Sequence, residues 1–427
     1  MKKIFFPSAF LFLASCFSFG QTVLYNGGTD ITVGNLVFVD GDIVNDVQGH
    51  IHNTDSIYLT RHWTNNEPTG CLDPTTGTVF LDGGAQFIQG TQTTTFNNLT
   101  CVGSGLKTLN INTIVGGNTG VLSLLADPFD LNSKTLIVTN PLPAAITRTS
   151  GYIISETYPT AGYGIIDWRM RNSAAGNNYT YPFGTVSGSY IPFLFDMTSA
   201  GVQSTVGSIA AATYPTIVTA SPNNRPFPTG ITNLNDSLGN ESATTCLDRY
   251  WIINANNYST NPVADYTFTY RDLEWDNTGG STNNIHYKSS LLGWKWNGTQ
   301  WQNPRIGIND SINNTVIVTG QSGSAPWTLK GTELVCGEFF LPNAFSPNGD
   351  GKNDFFRPRS NCIKTLDFKI YNRWGNMVYT STSPADKGWD GTTPQGKCDD
   401  GVYAYQLNAT FLDNTSIEKK GTVTLLK

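Results

Sequence analysis

His50 and His52 have the spacing of a metal site in this 427-residue chain. On a strand, positions i and i+2 fall on one face, and two imidazoles on one face can share a cation. Asp40, Asp42 and Asp46 lie nearby in sequence. A site needs a third ligand, and the sequence fixes none, so the pair is expected to be solvated on a polar coil. His62 and His286 complete the set of histidines.

Other patterns carry less chemistry. Asp127 with Asp130, and Asp272 with Glu274, have the residue types of a glycosidase acid and base. Their separation in space decides that role, and sequence does not supply it. No GxSxG, HExxH, P-loop or dinucleotide fingerprint occurs. No catalytic residue is assigned, and the expectation is a protein that is not an enzyme. Trp294 and Trp296, in GWKWNGTQW with Trp301, share a face if the segment is a strand. Exposed, they would stack on sugar rings; buried, they are core, the commoner fate of tryptophan in β-sandwiches. Asn348, Asp350 and Asp354 space oxygen side chains around Gly349 and Gly351, like the first half of a calcium loop. Asp390 or Asp399 would have to complete such a shell. The alternative is a polar glycine turn whose Asn and Asp cap backbone amides.

The elements that position these residues are β. Charged residues are sparse at 14%, while Thr, Asn, Gly and aromatics are plentiful, a composition of turn-rich β-structure. The length allows two or three cores. A net charge of −6 and the absence of a basic patch argue against nucleic-acid binding. No internal stretch is long and apolar enough for a transmembrane helix.

Residues 21–147 read as a loose repeat. SIYLTRHW around Ile57, GTVFLDGG around Val79, FNNLTCVG around Leu99 and GVLSLLAD around Val121 recur at steps of about twenty residues. One β-rich segment per step predicts a parallel β-solenoid, whose coils bury their apolar faces only by stacking. The rows Trp63 to Asn66 and Thr95 to Thr100 resemble those of β-solenoid passengers of secreted Bacteroidota proteins. Residues 148–330 contain GYIISE, GIIDWRM, DRYWIIN and DYTFTYRDLEW, strand compositions separated by Gly, Asn, Pro and Ser, and predict a β-sandwich.

At the amino terminus, Lys2 and Lys3 precede an apolar run to Phe17, and Ser18-Phe19-Gly20 offers small residues for cleavage before Gln21. Residues 1–20 are therefore expected to be a Sec signal peptide. Leu13-Ala14-Ser15-Cys16 resembles a lipobox, which would instead place a lipid on Cys16.

Residues 339–427 hold five blocks in one order: FFLPNAFSPNGDGKNDFFRP, DFKIYNRWGNMVY, GWDGT, DGVYAYQL and GTVTLLK. Phe368 and Ile370, and Tyr403, Tyr405 and Leu407, alternate with polar neighbours, which predicts a small antiparallel sandwich. The blocks resemble the gliding-motility-associated C-terminal domain, the type B sorting signal of the Bacteroidota type IX secretion system. The matching positions are Pro342, Asn343, Phe345, Pro347, Asn348, Gly349, Asp350, Gly351, Asn353 and Asp354, then Asn372, Arg373, Trp374 and Gly375, then Trp389, Asp390 and Gly391, then Gly401, Val402 and Tyr403. The resemblance implies an Ig-like sandwich, recognition by the type IX machinery, and delivery to the cell surface or the medium.

Six cysteines lie beyond the signal segment, an even number that favours disulfides in an exported chain. Cys362 is expected to pair with Cys398, since both lie in the tail. Cys71 with Cys101 would link adjacent turns of the repeat, leaving Cys246 and Cys336. None is in a CxxC pair, which disfavours a cysteine-held zinc.

Two function classes remain. One is a non-catalytic surface or secreted β-protein of adhesion, matrix or surface assembly, in contact with surface glycans or other surface proteins. The other is a polysaccharide-binding or polysaccharide-degrading β-helix passenger. A β-helix lyase needs basic residues on one face, and residues 21–147 hold only Arg61, Lys107 and Lys134.

Overall fold

Alternating burial organises the first half of the chain. In Ser56–Leu59, Ile57 and Leu59 are buried while Ser56 and Tyr58 are not, and the same alternation recurs in Thr78–Leu81. The computed structural model describes residues 3–4, 22–73, 75–157, 162–216, 224–235, 239, 241–275, 288–302, 307–331, 339–360, 362–411 and 415–426. Among these there is no α-helix. The expected signal peptide and Cys16 fall outside the described residues, apart from positions 3–4. Two compact units emerge: Met1–Asn283 with Lys288–Gly331, and Thr332–Lys427 with Asn284–Tyr287.

The first unit begins as a three-sided parallel β-solenoid of about six coils. One face runs from Thr22–Asn26 through Gly41–Asn45, Trp63–Asn65, Gln86–Gly90 and Lys107–Leu109 to Phe183–Gly184. A second pairs Asp30–Val33 with His50–Asn53, and resumes at Thr94–Phe96 through Thr113–Val115 and Thr135–Val138 to Ile165–Trp168. The third stacks Val37–Val39, Ser56–Leu59, Thr78–Leu81, Asn98–Cys101, Leu122–Leu124 and Ile146–Arg148.

Like side chains sit above like. Ile57, Val79, Leu99 and Leu122 form one interior column, and Leu59, Leu81, Cys101 and Leu124 another. Each buried aliphatic side chain contributes about 1.5–3 kcal/mol relative to exposure. The fourth member of the first column is Leu122, one residue beyond the expected Val121, because Leu122 is the position in register with Leu99. At one corner Asn26, Asn45 and Asn65 stack, all buried. The Asn26 amide donates to Asn45 Oδ1 at 2.8 Å, and Asn45 donates to the Gly49 carbonyl at 2.7 Å. The ladder thus satisfies polar groups that would be costly to bury unpaired. Gly90 ends the Asn column, where an added Cβ would lie 2.0 Å from the Asn65 carbonyl.

The solenoid does not stop near residue 147. Ile165–Trp168 still pairs in parallel with Thr135–Val138, but its other edge takes Val202–Pro215 antiparallel. The second face thereby becomes an antiparallel sheet that continues through Arg249–Thr260, Ala325–Lys330 and Leu292–Trp296. A second sheet, Asn178–Tyr181, Phe193–Ser199, Val263–Thr269, Thr315–Ser322 and Gly307–Asp310, completes the sandwich. Between the two, Trp251 and Trp327 pack on Phe268 with ring centroids 5.0 and 5.4 Å away. Repeat and sandwich share one sheet because the apolar rows of the last coil are covered by strands of the sandwich.

The second unit is a five-stranded sheet in the order Ala344–Phe345, Ser416–Leu425, Gly401–Phe411, Ile363–Tyr371, Met377–Ser381. Its opposing layer is built of short pieces, the bridge between Phe356 and Trp389 and the hairpin of Thr392–Thr393 with Gly396–Lys397. Phe345, Phe356, Phe368, Ile370, Trp389, Tyr403, Leu407 and Leu425 fill the space between them.

Candidate functional site

The motif residues of the C-terminal unit divide into a framework and an exposed set. Phe345 packs on Phe356 and Trp389 with centroids 5.9 and 5.3 Å away, and Tyr403 meets the Trp389 ring edge-on at 4.8 Å. The Trp389 indole donates to the Thr392 carbonyl at 2.9 Å. Gly391 has φ +75°, and a Cβ there would crowd Leu425 and Pro347. Asn372 Oδ1 accepts the amides of Trp374 and Asn376 at 3.0 and 2.9 Å, closing the hairpin turn at Gly375, whose φ is +79°. That turn holds Trp374 outward, 80% exposed.

The glycine loop is a capped turn. Asp354 accepts the amides of Gly349 and Gly351 at 2.7 and 2.8 Å. Asn348 Oδ1 accepts the Asp350 amide at 3.0 Å, and Asp350 Oδ1 the Lys352 amide at 2.7 Å. The oxygens proposed for calcium face the loop's own backbone. Asp390, proposed to complete the shell, accepts from the amide and hydroxyl of Thr392.

Residues 339–425 match the family described as CHU_C Type IX secretion signal domain. The chain carries a C-terminal type IX secretion sorting domain. No curated protein matches the chain. The sorting domain establishes export to the outer surface or the medium, and with it an interaction with the type IX secretion machinery.

Outside the sorting domain, three groups converge on the second face of the solenoid. His50 and His52 both project from His50–Asn53, with ring centroids 4.3 Å apart. In the next coil the strand of this face shrinks to a single bridge, Ile51 to Leu72. Asp73 follows it. Its Oδ1 lies 3.3 Å from His50 Nε2 and its Oδ2 lies 3.0 Å from His52 Nδ1. Burial pushes the Asp73 carboxyl up, but the two imidazoles outweigh that and hold it below its ordinary value. Glu67 fixes the segment from within: its carboxylate accepts the Gln48 amide and both donors of Thr69.

Asp73 was not legible as a ligand, although aligning coils by the Ile51–Leu72 register would have placed it beside His52. The aspartates nearer in sequence are engaged elsewhere. Asp40 accepts from Thr60, Asp42 from the His62 amide, and Asp46 from the Tyr25 hydroxyl.

The remaining candidates serve structure. Glu274 is buried on Arg249, whereas Asp272 binds Lys288 and the Trp275 indole, so the two face different cations. Asp127 lies 3.9 Å from the buried ammonium of Lys107, while Asp130 accepts the Asn132 amide. Trp294 is 4% exposed, stacked 5.4 Å from Trp301 with 23° between the planes. Trp296 is half-buried and meets Trp301 at 65°, so no flat pair faces outward.

The expected disulfides are corrected. Cys71, Cys101, Cys246 and Cys398 are free thiols. Cys101 points inward in a leucine column, whereas Cys71 lies against Thr94 on another face. Burial pushes both thiols up to about 12, and they act as small apolar side chains. Cys362 is disulfide-bonded, but to none of these four. Cys336 and His286 lie outside the described residues.

Proposed function

We propose that the exported chain is a non-catalytic β-protein of adhesion, matrix or surface assembly, contacting glycans or other proteins at the cell surface. The observation that supports this reading is an outward aromatic row on the third solenoid face. Phe38, Tyr58 and Phe80 are in register on adjacent coils. Phe38 is 53% exposed, and the Tyr58 and Phe80 rings stack with centroids 4.1 Å apart and 1° between planes. Phe38 is thus exposed and Tyr58 and Phe80 are half-buried; such an outward aromatic row favours contact with another molecule.

The disposition of basic groups points away from a lyase. Lys107 is fully buried and donates to the carbonyls of Gly83 and Gly84 at 2.6 and 2.9 Å. Arg61 lies against Asp42 at 3.5 Å. Binding is then weak per molecule and strengthened by repeated display on the surface.

The test replaces Phe38, Tyr58 and Phe80 together by Ser. Cell attachment and polysaccharide-array binding should fall while export persists. Release of reducing sugar from any polysaccharide by the unaltered protein would instead place it among degradative β-helix passengers.

A further inference from the structure

The convergence of His50, His52 and Asp73 has a consequence independent of the adhesion reading. The Nδ1 of His50 is 2.7 Å from the Gly70 carbonyl. A carbonyl only accepts, so Nδ1 carries the proton and donates it. The other ring nitrogen, Nε2, is directed at Asp73 Oδ1, 3.3 Å away. An imidazole nitrogen and a carboxylate oxygen directed at each other are donors that a metal ion takes in place of a proton. On the other side of the same carboxylate, Oδ2 faces His52 Nδ1 at 3.0 Å. The three ligand atoms lie within 4.8 Å of one another, and no other such grouping of His, Cys, Asp and Glu occurs among the described residues.

We propose that His50, His52 and Asp73 bind a divalent transition-metal ion of the zinc class. Donor identity sets the class: two imidazole nitrogens and one carboxylate oxygen suit zinc, nickel, cobalt or copper rather than magnesium or calcium. Ligand atoms on a zinc tetrahedron are separated by about 3.3–3.5 Å, so small side-chain rotations close this site. The carbonyl behind His50 is the outer partner that metal-bound histidines generally have, fixing ring orientation and tautomer. The side chains of His50, His52 and Asp73 are 29, 41 and 33% exposed, which gives an ion access and leaves the fourth position to water.

Position in the fold suggests what the ion does. His50 and His52 belong to one coil, and Asp73 to the next. They meet where the second face is held by one bridge instead of a full strand. The ion fastens the segment of residues 66–73 to the preceding coil where that face is joined by a single bridge. A ligand that binds only the folded state raises its stability.

The experiment uses the untagged exported chain. Zinc added as its chloride should bind in calorimetry at micromolar concentrations with one ion per chain, and should raise the melting temperature. Magnesium and calcium should do neither. Cobalt(II) should give the visible absorption of a four-coordinate ion, displaced by zinc. His52→Gln and Asp73→Asn should each weaken zinc binding at least tenfold, whereas His62→Gln, a residue engaged by the Phe87 amide, should not. The cobalt spectrum needs no variant, so it decides even if a substitution disturbs folding. Absence of both stoichiometric zinc binding and the cobalt band, or zinc binding unaffected by both ligand substitutions, would overturn the assignment.

Discussion

Arg249 and Glu156, 93 residues apart in sequence, meet at 2.9 Å in the interior of the first unit. The guanidinium is fully buried and also donates to Glu274 and to Thr213 Oγ1. Glu156 follows Ile153–Ile154, the next-to-last strand of the solenoid's first face, Arg249 opens a long strand of the sandwich, and Glu274 sits on a 3-10 turn. One side chain thus joins three segments where repeat passes into sandwich. Removing it would leave two buried carboxylates without their shared cation.

Arg249→Ala is therefore expected to cost about 3–5 kcal/mol, the range for breaking a buried ion pair from one side. Urea unfolding of the full chain, followed by tryptophan fluorescence, measures this. A loss below about 1 kcal/mol would mean that water reaches the site.

The same network gives an acid dependence. Burial pushes the Glu274 carboxyl up, but Arg249 and Arg271 outweigh it, so its folded value lies below the ordinary one. Its contribution is present in full above the unfolded value, about 4.3, and is lost as pH falls through the lower folded value. The unfolding midpoint should decline across that acid window. Charge-neutral Glu274→Gln should be less stable at pH 7 and show a flatter acid limb.

Much of the solenoid could be read from sequence because its signal is periodic. Ile57, Val79 and Leu99 fall in register as expected, since each coil repeats one apolar pattern. The one-residue displacement to Leu122 follows from a change in corner length, to which a count of apolar centres is insensitive. The Arg249 network and the Asp73 contact were illegible for a different reason. Their partners come from segments with no shared period, and only the folded register brings them together. The cysteines misled because position within a domain does not reveal that Cys101 points into a leucine column.

Trp374 and Trp389 separate stability from sorting. Trp389→Ala removes a buried ring and should cost about 3–5 kcal/mol. Trp374→Ala removes an exposed one and should change stability by no more than about 0.5 kcal/mol, yet lower surface display. Thermal melts and surface immunolabelling of the two variants test this. Equal destabilisation by both would contradict the division into framework and exposed residues.

Asp354 should act through backbone capping. Asp354→Ala frees the amides of Gly349 and Gly351 and is expected to cost about 1–2 kcal/mol. The loss should be the same with calcium and with chelator, because both bonds are made within the loop. A stability that rose with calcium only when Asp354 is present would give the loop an ion-binding role instead.

The central claim is that the C-terminal unit carries the passenger across the outer membrane. Deleting residues 339–427 and fractionating the cells is its most direct test. The truncated chain should accumulate in the periplasm, while the full chain reaches the surface or the medium. Truncated chain found outside in the same proportion as the full chain would contradict the account.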